Sequence, residues 1–160
     1  MNWYVLFIAA AFPLIVGAFW YNQKVFGGAL KKLSGQSSDA ANAGHSALVY
    51  IMTYILGLFL ASQMMSIVNH QMHIFSIFAN DPNAKETGSD MMIFMEKYGK
   101  NFRSFGHGVF HGFFSSIIFV LPILGVIALF EKKGWKYIFI HTGYWAFTMM
   151  LMGGLIAAML

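Results

Sequence analysis

Charge is excluded from four long stretches of the 160-residue chain, 1–23, 40–80, 104–130 and 137–160, and this exclusion constrains the fold more than any motif. Each stretch meets or exceeds the roughly 20 residues a helix needs to cross the hydrocarbon core of a bilayer. Composition agrees: 58% of the residues are hydrophobic and only 10% charged, against about 25% charged in an ordinary soluble domain. Lipid cannot satisfy exposed backbone groups, and the runs lack the alternation of a membrane β-barrel. The expected fold class is therefore an all-α integral membrane protein, a single domain over 1–160. Its four transmembrane helices are placed at about 2–22, 46–74, 106–130 and 135–158. The first stretch, "NWYVLFIAAAFPLIVGAFWY", has no basic region before its apolar centre and ends on an aromatic pair, so it reads as a retained helix and not a signal peptide.

Loop charge sets the expected orientation. Lys24, Lys31 and Lys32 lie in the first loop and Lys132, Lys133 and Lys136 in the third, six basic residues in short loops. The longer second connection holds the other four, Lys85, Lys97, Lys100 and Arg103. By the positive-inside rule the first and third loops are cytoplasmic, with both termini and the 75–105 connection outside. The formal charge of +4 comes from these scattered membrane-flanking residues, with no basic run that suits nucleic acid. Cysteine is absent, which removes disulfides, thiolate ligands and thiol nucleophiles.

The second connection has structure of its own. "NDPNAKETGSD" is a turn-rich exposed segment. After it, Met91, Met95, Tyr98, Phe102 and Phe105 recur at helical spacing while Glu96, Lys97, Lys100 and Arg103 occupy other faces, which predicts an amphipathic helix at about 89–103. Continued without interruption from Ser89 to Phe130, it would be roughly 60 Å long, so a break near Gly99, or across Gly106 and Gly108, is expected. Pro13 and Pro122 are candidate kinks, and small residues in the first, second and fourth spans suit close helix packing.

The six histidines divide by depth. His70 and His73, in "NHQMH", fall at the outer end of the second span; His107 and His111, in "FGHGVFHG", fall at the outer start of the third. Residues three or four apart share a helical face, so each helix can present two imidazoles in one direction. Polar stripes accompany them: Ser62, Gln63, Ser66 and Asn69 on the second helix, Ser104 and Ser115 on the third. Such groups in a span face the bundle interior or a watery cavity, and the two stripes are expected to face each other. His45 reads as an interfacial cap. His141, beside Thr142, Tyr144 and Thr148, reads as a buried polar contact nearer the cytoplasmic side.

Imidazole suits zinc, copper, iron and nickel, and histidine pairs on facing helices can hold one transition metal or ligate a haem from opposite faces. The alternative is that the imidazoles hydrogen-bond backbone or water and serve only to pack the bundle. Without H-E-x-x-H, zinc-protease chemistry lacks its general base. Met64, Met65, Met72, Met91, Met92 and Met95 leave copper open, although methionine commonly serves as flexible packing. Every carboxylate lies outside the spans, so a conventional intramembrane proton relay has no acid to run on. Ser115 and Ser116 beside His111 lack a carboxylate to orient the histidine as a base.

Three stretches, "GAFWYNQKVFGG" at 17–28, "HGVFHGFF" at 107–114 and "ALFEKKGWKYIFIHTGYW" at 128–145, resemble the bacterial membrane proteins grouped as domain of unknown function 1761. Gly17, Trp20, Tyr21, Phe26 and Gly27 stand in the matching places of the first stretch. Leu30 stands where many relatives carry tryptophan, so no role of that indole transfers. The resemblance implies a small four-helix protein of the bacterial inner membrane, and it brings no reaction, cofactor or catalytic residue.

The function expected on this basis is that of a non-enzymatic membrane protein, an accessory or ligand-binding subunit. Its site is the outer cluster of His70, His73, His107 and His111, with Gln63, Ser66, Asn69, Ser115 and His141 as polar lining. Its partners are the lipid bilayer and either other membrane subunits or further copies of itself. The competing class is a small membrane metalloprotein or haem-dependent redox enzyme using the same histidines. An oligomeric transporter ranks third, because one chain offers few spans and no inverted repeat.

Overall fold

The computed structural model describes residues 2–34 and 45–159, and every regular element among them is helical. Asp39, which bounds the second charge-free stretch, lies outside the described residues. In chain order the α-helices are α1 (Tyr4–Ala9), α2 (Phe12–Trp20), α3 (Gly28–Ser34), α4 (Ala47–Val68), α5 (Gln71–Ile77), α6 (Asp90–Tyr98), α7 (Phe105–Ser115), α8 (Leu121–Phe130) and α9 (Trp135–Met159). Wider π turns at Gln23–Gly27 and Ser116–Val120 lead into α3 and α8.

Three continuous helices are long and apolar enough to cross a membrane: α4, the run Phe105–Phe130 through α7 and α8, and α9. The N-terminal segment supplies a fourth span only as a bent pair, Tyr4–Trp20 followed by Gln23–Leu33 at 53°. Pro13 sits in the first turn of α2, where its missing N–H leaves the Ala9 carbonyl without a helical donor and interrupts the segment between α1 and α2. Pro122 does not break its helix. It follows the π turn at Ser116–Val120 and occupies the first turn of α8, where the absence of an N–H is tolerated.

The central element is α9. Half of its apolar window is buried, against 28% for α4 and 22% for the α7–α8 span, and α7, α4, α2, α8 and α1 all pack on it. The closest packing is α7 against α9. A Cβ added at Gly108 would overlap the Gly153 carbonyl, and one at Gly112 would overlap that of Met149. The GxxxG spacing thus brings two backbones into direct contact, as expected where packing, and not expulsion of water, drives helix association.

The packed core gathers Val5, Ala9, Ala61, Met64, Met65, Val68, Met149, Met152, Ile156 and Ala157. These come from the start of α1 and the last turns of α4 and α9, so the core lies at the end of the bundle that also holds the termini and the second connection. Asn2 Nδ2 donates to the Met159 carbonyl across that end at 3.3 Å.

Two breaks shape the connection. The span expected at 46–74 stops at Val68, where Asn69 leaves helical geometry (φ −107°, ψ 84°) and α5 starts afresh after His70. The break is held from outside: the Gln71 side-chain amide donates to the carbonyls of Tyr98 (3.1 Å) and Asn101 (2.8 Å), tying α5 to the end of α6. The amphipathic helix expected at about 89–103 is the shorter α6, started by the Ser89 hydroxyl accepting from the Met92 N–H. Between Gly99 and Ser104 the chain reverses, with Phe102 in a left-handed conformation (φ 63°), and α7 begins at a Ser104 cap that accepts from the His107 N–H at 3.3 Å.

Candidate metal centre

Both breaks point histidines at one place. His70 occupies the junction between α4 and α5, and His107 and His111 occupy the first two turns of α7, one turn apart on one face. Gly108 and Gly112 follow them by one position each, so the face that locks α7 onto α9 lies next to the face that carries the imidazoles. The backbone contact therefore fixes both the height and the rotation of the pair.

One ligand nitrogen from each of His70, His107 and His111 lies within 4.8 Å of the other two. The Nε2 atoms of His70 and His107 are 3.0 Å apart, a hydrogen bond in which one ring must carry the proton and the other accept it. Ring centroids are 5.0 Å apart for His70 with His107, 5.0 Å for His70 with His111, and 4.4 Å for His107 with His111. The interplanar angles of 75°, 70° and 72° set the rings steeply to one another instead of stacking them. His70 is exposed and the other two are half-buried, so the protein itself does not enclose the cluster.

Aromatic rings flank the group. Phe102 lies 5.1 Å from His107 and edge-on to His70 at 5.9 Å, and Phe110 lies edge-on to His111 at 5.7 Å. Beside His70 a cavity of about 370 Å³ opens between α5 and α6, walled by Ile74, Phe94, Tyr98 and Phe102.

The other expected residues are placed apart from this point. His73 shares the first turn of α5 with His70, whose carbonyl accepts its N–H, but its ring turns back across the break at Asn69, where Nε2–H donates to the Ser66 carbonyl at 3.2 Å. Gln63 is exposed, Ser66 is half-buried, and Ser115 is buried in the bundle. Asn69 is buried with its Oδ1 unpartnered in the protein. His141 lies toward the far end of the bundle, where its Nδ1 and the Tyr21 hydroxyl share a 2.9 Å hydrogen bond and the Tyr137 ring packs edge-on at 4.4 Å. His45 is exposed beside Tyr50. Gln71 and Phe102 shape the site most directly from outside it; spacing places Phe102 only on the apolar face of the expected amphipathic helix and does not single out Gln71. Their signal is only that one lies inside "NHQMH" and the other between the two places expected for a break.

The donor set narrows the chemistry. No carboxylate joins the three histidines among the described residues. Met64 and Met65 are in the buried core with Met72 packed against it, and Met91 is buried near Phe75 and Pro82, which is packing and not thioether ligation. Three imidazoles with no sulfur suit a divalent first-row ion such as zinc, nickel or copper(II). Ligation of a haem from opposite faces would need two of these nitrogens to stand on either side of a flat macrocycle, whereas the three lie within 4.8 Å of one another.

No curated protein and no solved structure matches the chain. A family model described as protein of unknown function (DUF1761) matches residues 4–157. Nearly the whole chain is covered, and the protein, an integral membrane protein by its helix hydropathy, belongs to that family.

Proposed function

We propose that this protein is a ligand-binding membrane subunit whose ligand is a divalent transition-metal ion, held by His70, His107 and His111. The observation that carries the reading is the convergence of three imidazole nitrogens within 4.8 Å, two of them already 3.0 Å apart. Metal–nitrogen bonds of about 2.0–2.1 Å at tetrahedral angles place ligand nitrogens about 3.3 Å from one another. The His70–His107 pair at 3.0 Å is already near that spacing, and rotation of exposed and half-buried rings is the movement the reading requires of His111. Three protein ligands leave a fourth position for water or an exogenous ligand, as in an open site. The loop charges support placing this end of the bundle outside the cytoplasm, with the lysine-rich loops inside.

The site binds and presents a metal; no protein carboxylate or second general base joins it among the described residues, so the reading assigns it no reaction. The test is titration of the purified protein with Co(II), whose d–d bands report coordination number. One equivalent of four-coordinate Co(II), displaced by Zn(II) and lost in His107→Ala and His111→Ala, is the expected result. A second reading rests on the His70–His107 hydrogen bond: a metal-free pair that shares a proton at the membrane surface. Failure to bind any of Co(II), Zn(II), Ni(II) or Cu(II) in the folded protein would leave that reading in place of the first.

A further inference from the structure

The cavity between α5 and α6 shares a wall with the metal centre, because His70 lines both. Its other walls are Ile74, Phe94, Tyr98 and Phe102, with Gln71 and Asn101 at its base. The Gln71 amide nitrogen donates to two backbone carbonyls, so its hydrogens are committed to holding the cavity's shape and are not offered to a ligand. No charged side chain lines the space. At about 370 Å³ it falls within the range of small-molecule sites, roughly 300–1,000 Å³, and has their usual make-up of apolar walls with a few placed polar groups.

Phe102 joins the two spaces. It walls the cavity and also lies against His70 and His107, from a left-handed backbone position that a bulky residue rarely adopts. Such conformations persist where the surroundings hold them, and they concentrate at functional sites. A molecule seated among Phe94, Tyr98 and Phe102 would lie beside His70, within reach of the open coordination position.

We propose that the cavity selects the exogenous metal ligand: a neutral, lipid-soluble, ring-bearing organic molecule with a single nitrogen or oxygen donor. The ring packs between α5 and α6 and the donor completes the coordination of the ion. The apolar, uncharged walls exclude small hydrated anions from the cavity, and the position beside an amphipathic helix allows entry from the membrane surface. This inference rests on the metal reading above.

The experiment uses the full chain in nanodiscs, loaded with Co(II), and compares imidazole with 4-phenylimidazole as probes of the open position. Burial of the phenyl group is worth about 10- to 100-fold in affinity, so 4-phenylimidazole should shift the Co(II) bands at correspondingly lower concentration. Ile74→Trp, which fills the cavity, should erase that advantage, and an unaltered probe-free Co(II) spectrum in the variant is the control that the neighbouring His70 still ligates. Equal affinity for the two probes in a protein that does bind Co(II) would overturn the cavity inference alone, as would a phenyl advantage that survives Ile74→Trp. Absence of any Co(II) spectrum would overturn the metal reading and this inference with it.

Discussion

Replacing Gly108 by alanine adds one methyl group at the tightest point of the bundle. The new Cβ would overlap the Gly153 carbonyl, and even the Gly154 nitrogen would stand only 2.7 Å away. Ordinary van der Waals contact begins at 3.4 Å, so α7 and α9 must part by about 0.7 Å for that atom alone, and by more for the carbonyl. The atoms in the way are backbone, which cannot rotate aside. Overpacking of this kind costs about 1–3 kcal/mol, and parting the helices also loosens the neighbouring contact of Gly112 with Met149. His107 and His111 ride on α7 and shift with it relative to His70. Disturbing the support of a ligand set in this way lowers metal affinity by about 10- to 100-fold. The assay pairs reversible unfolding in mixed detergent micelles, followed by tryptophan fluorescence, with Co(II) titration. Gly106→Ala is the control: its added methyl meets nothing within 4 Å, so helix propensity alone should leave it neutral or up to about 1 kcal/mol more stable. Equal stability and equal Co(II) affinity in the two variants would refute the argument that the glycine face positions the imidazoles.

Two further outcomes separate the ends of the bundle and the chemistry of the site. Tyr21→Phe removes the 2.9 Å hydrogen bond to His141 and should lower stability by about 0.5–1.5 kcal/mol in the same unfolding assay while leaving Co(II) affinity unchanged, because that pair lies at the opposite end from the cluster. Metal affinity should fall on acidification: only a neutral imidazole nitrogen ligates, so each ligand protonated in the free protein must release its proton on binding. Titrations at successively lower pH should therefore require more Co(II), and affinity independent of pH would contradict ligation by histidine.

The spans were the most legible part of the molecule, because charge exclusion over 20 residues or more has few solutions in a chain this apolar. α9 runs from Trp135 to Met159, and of the two places expected for a break, near Gly99 or across Gly106 and Gly108, the chain leaves α6 at the first and is helical at the second. The break at Asn69 was not legible. It falls inside an uncharged run whose helical spacing continues across it, and its restraint, Gln71 on the carbonyls of Tyr98 and Asn101, comes from residues about thirty positions away. The same break leaves the Ser66 carbonyl to accept from His73, a use of that imidazole which the spacing from His70 does not reveal.

The glycines around His107 and His111 carried half of their message. Sequence spacing offers Gly106 and Gly108 as a place for the amphipathic helix to break from the third span. Contact with α9 through Gly153 and Met149 is instead what occurs, since a small residue specifies an approach distance without specifying the partner. The first span was over-simplified in a similar way. Pro13 was read as a kink, but the 53° bend after Trp20 depends on Asn22 capping the next segment, with its side chain accepting from the Lys24 N–H at 3.0 Å.

X-ray absorption at the zinc edge on the full chain, loaded with one equivalent of Zn(II) and washed free of excess, bears most directly on the three-histidine centre. The expected spectrum has a first shell of four nitrogen or oxygen ligands at about 2.0 Å with the outer-shell ring scattering of three imidazoles, and His107→Ala, His111→Ala and His70→Ala each abolish stoichiometric retention. His73→Ala should leave the spectrum unchanged. Retention of zinc by the variant lacking His70, His107 and His111 together, or no stoichiometric zinc in the folded wild type, would contradict the assignment.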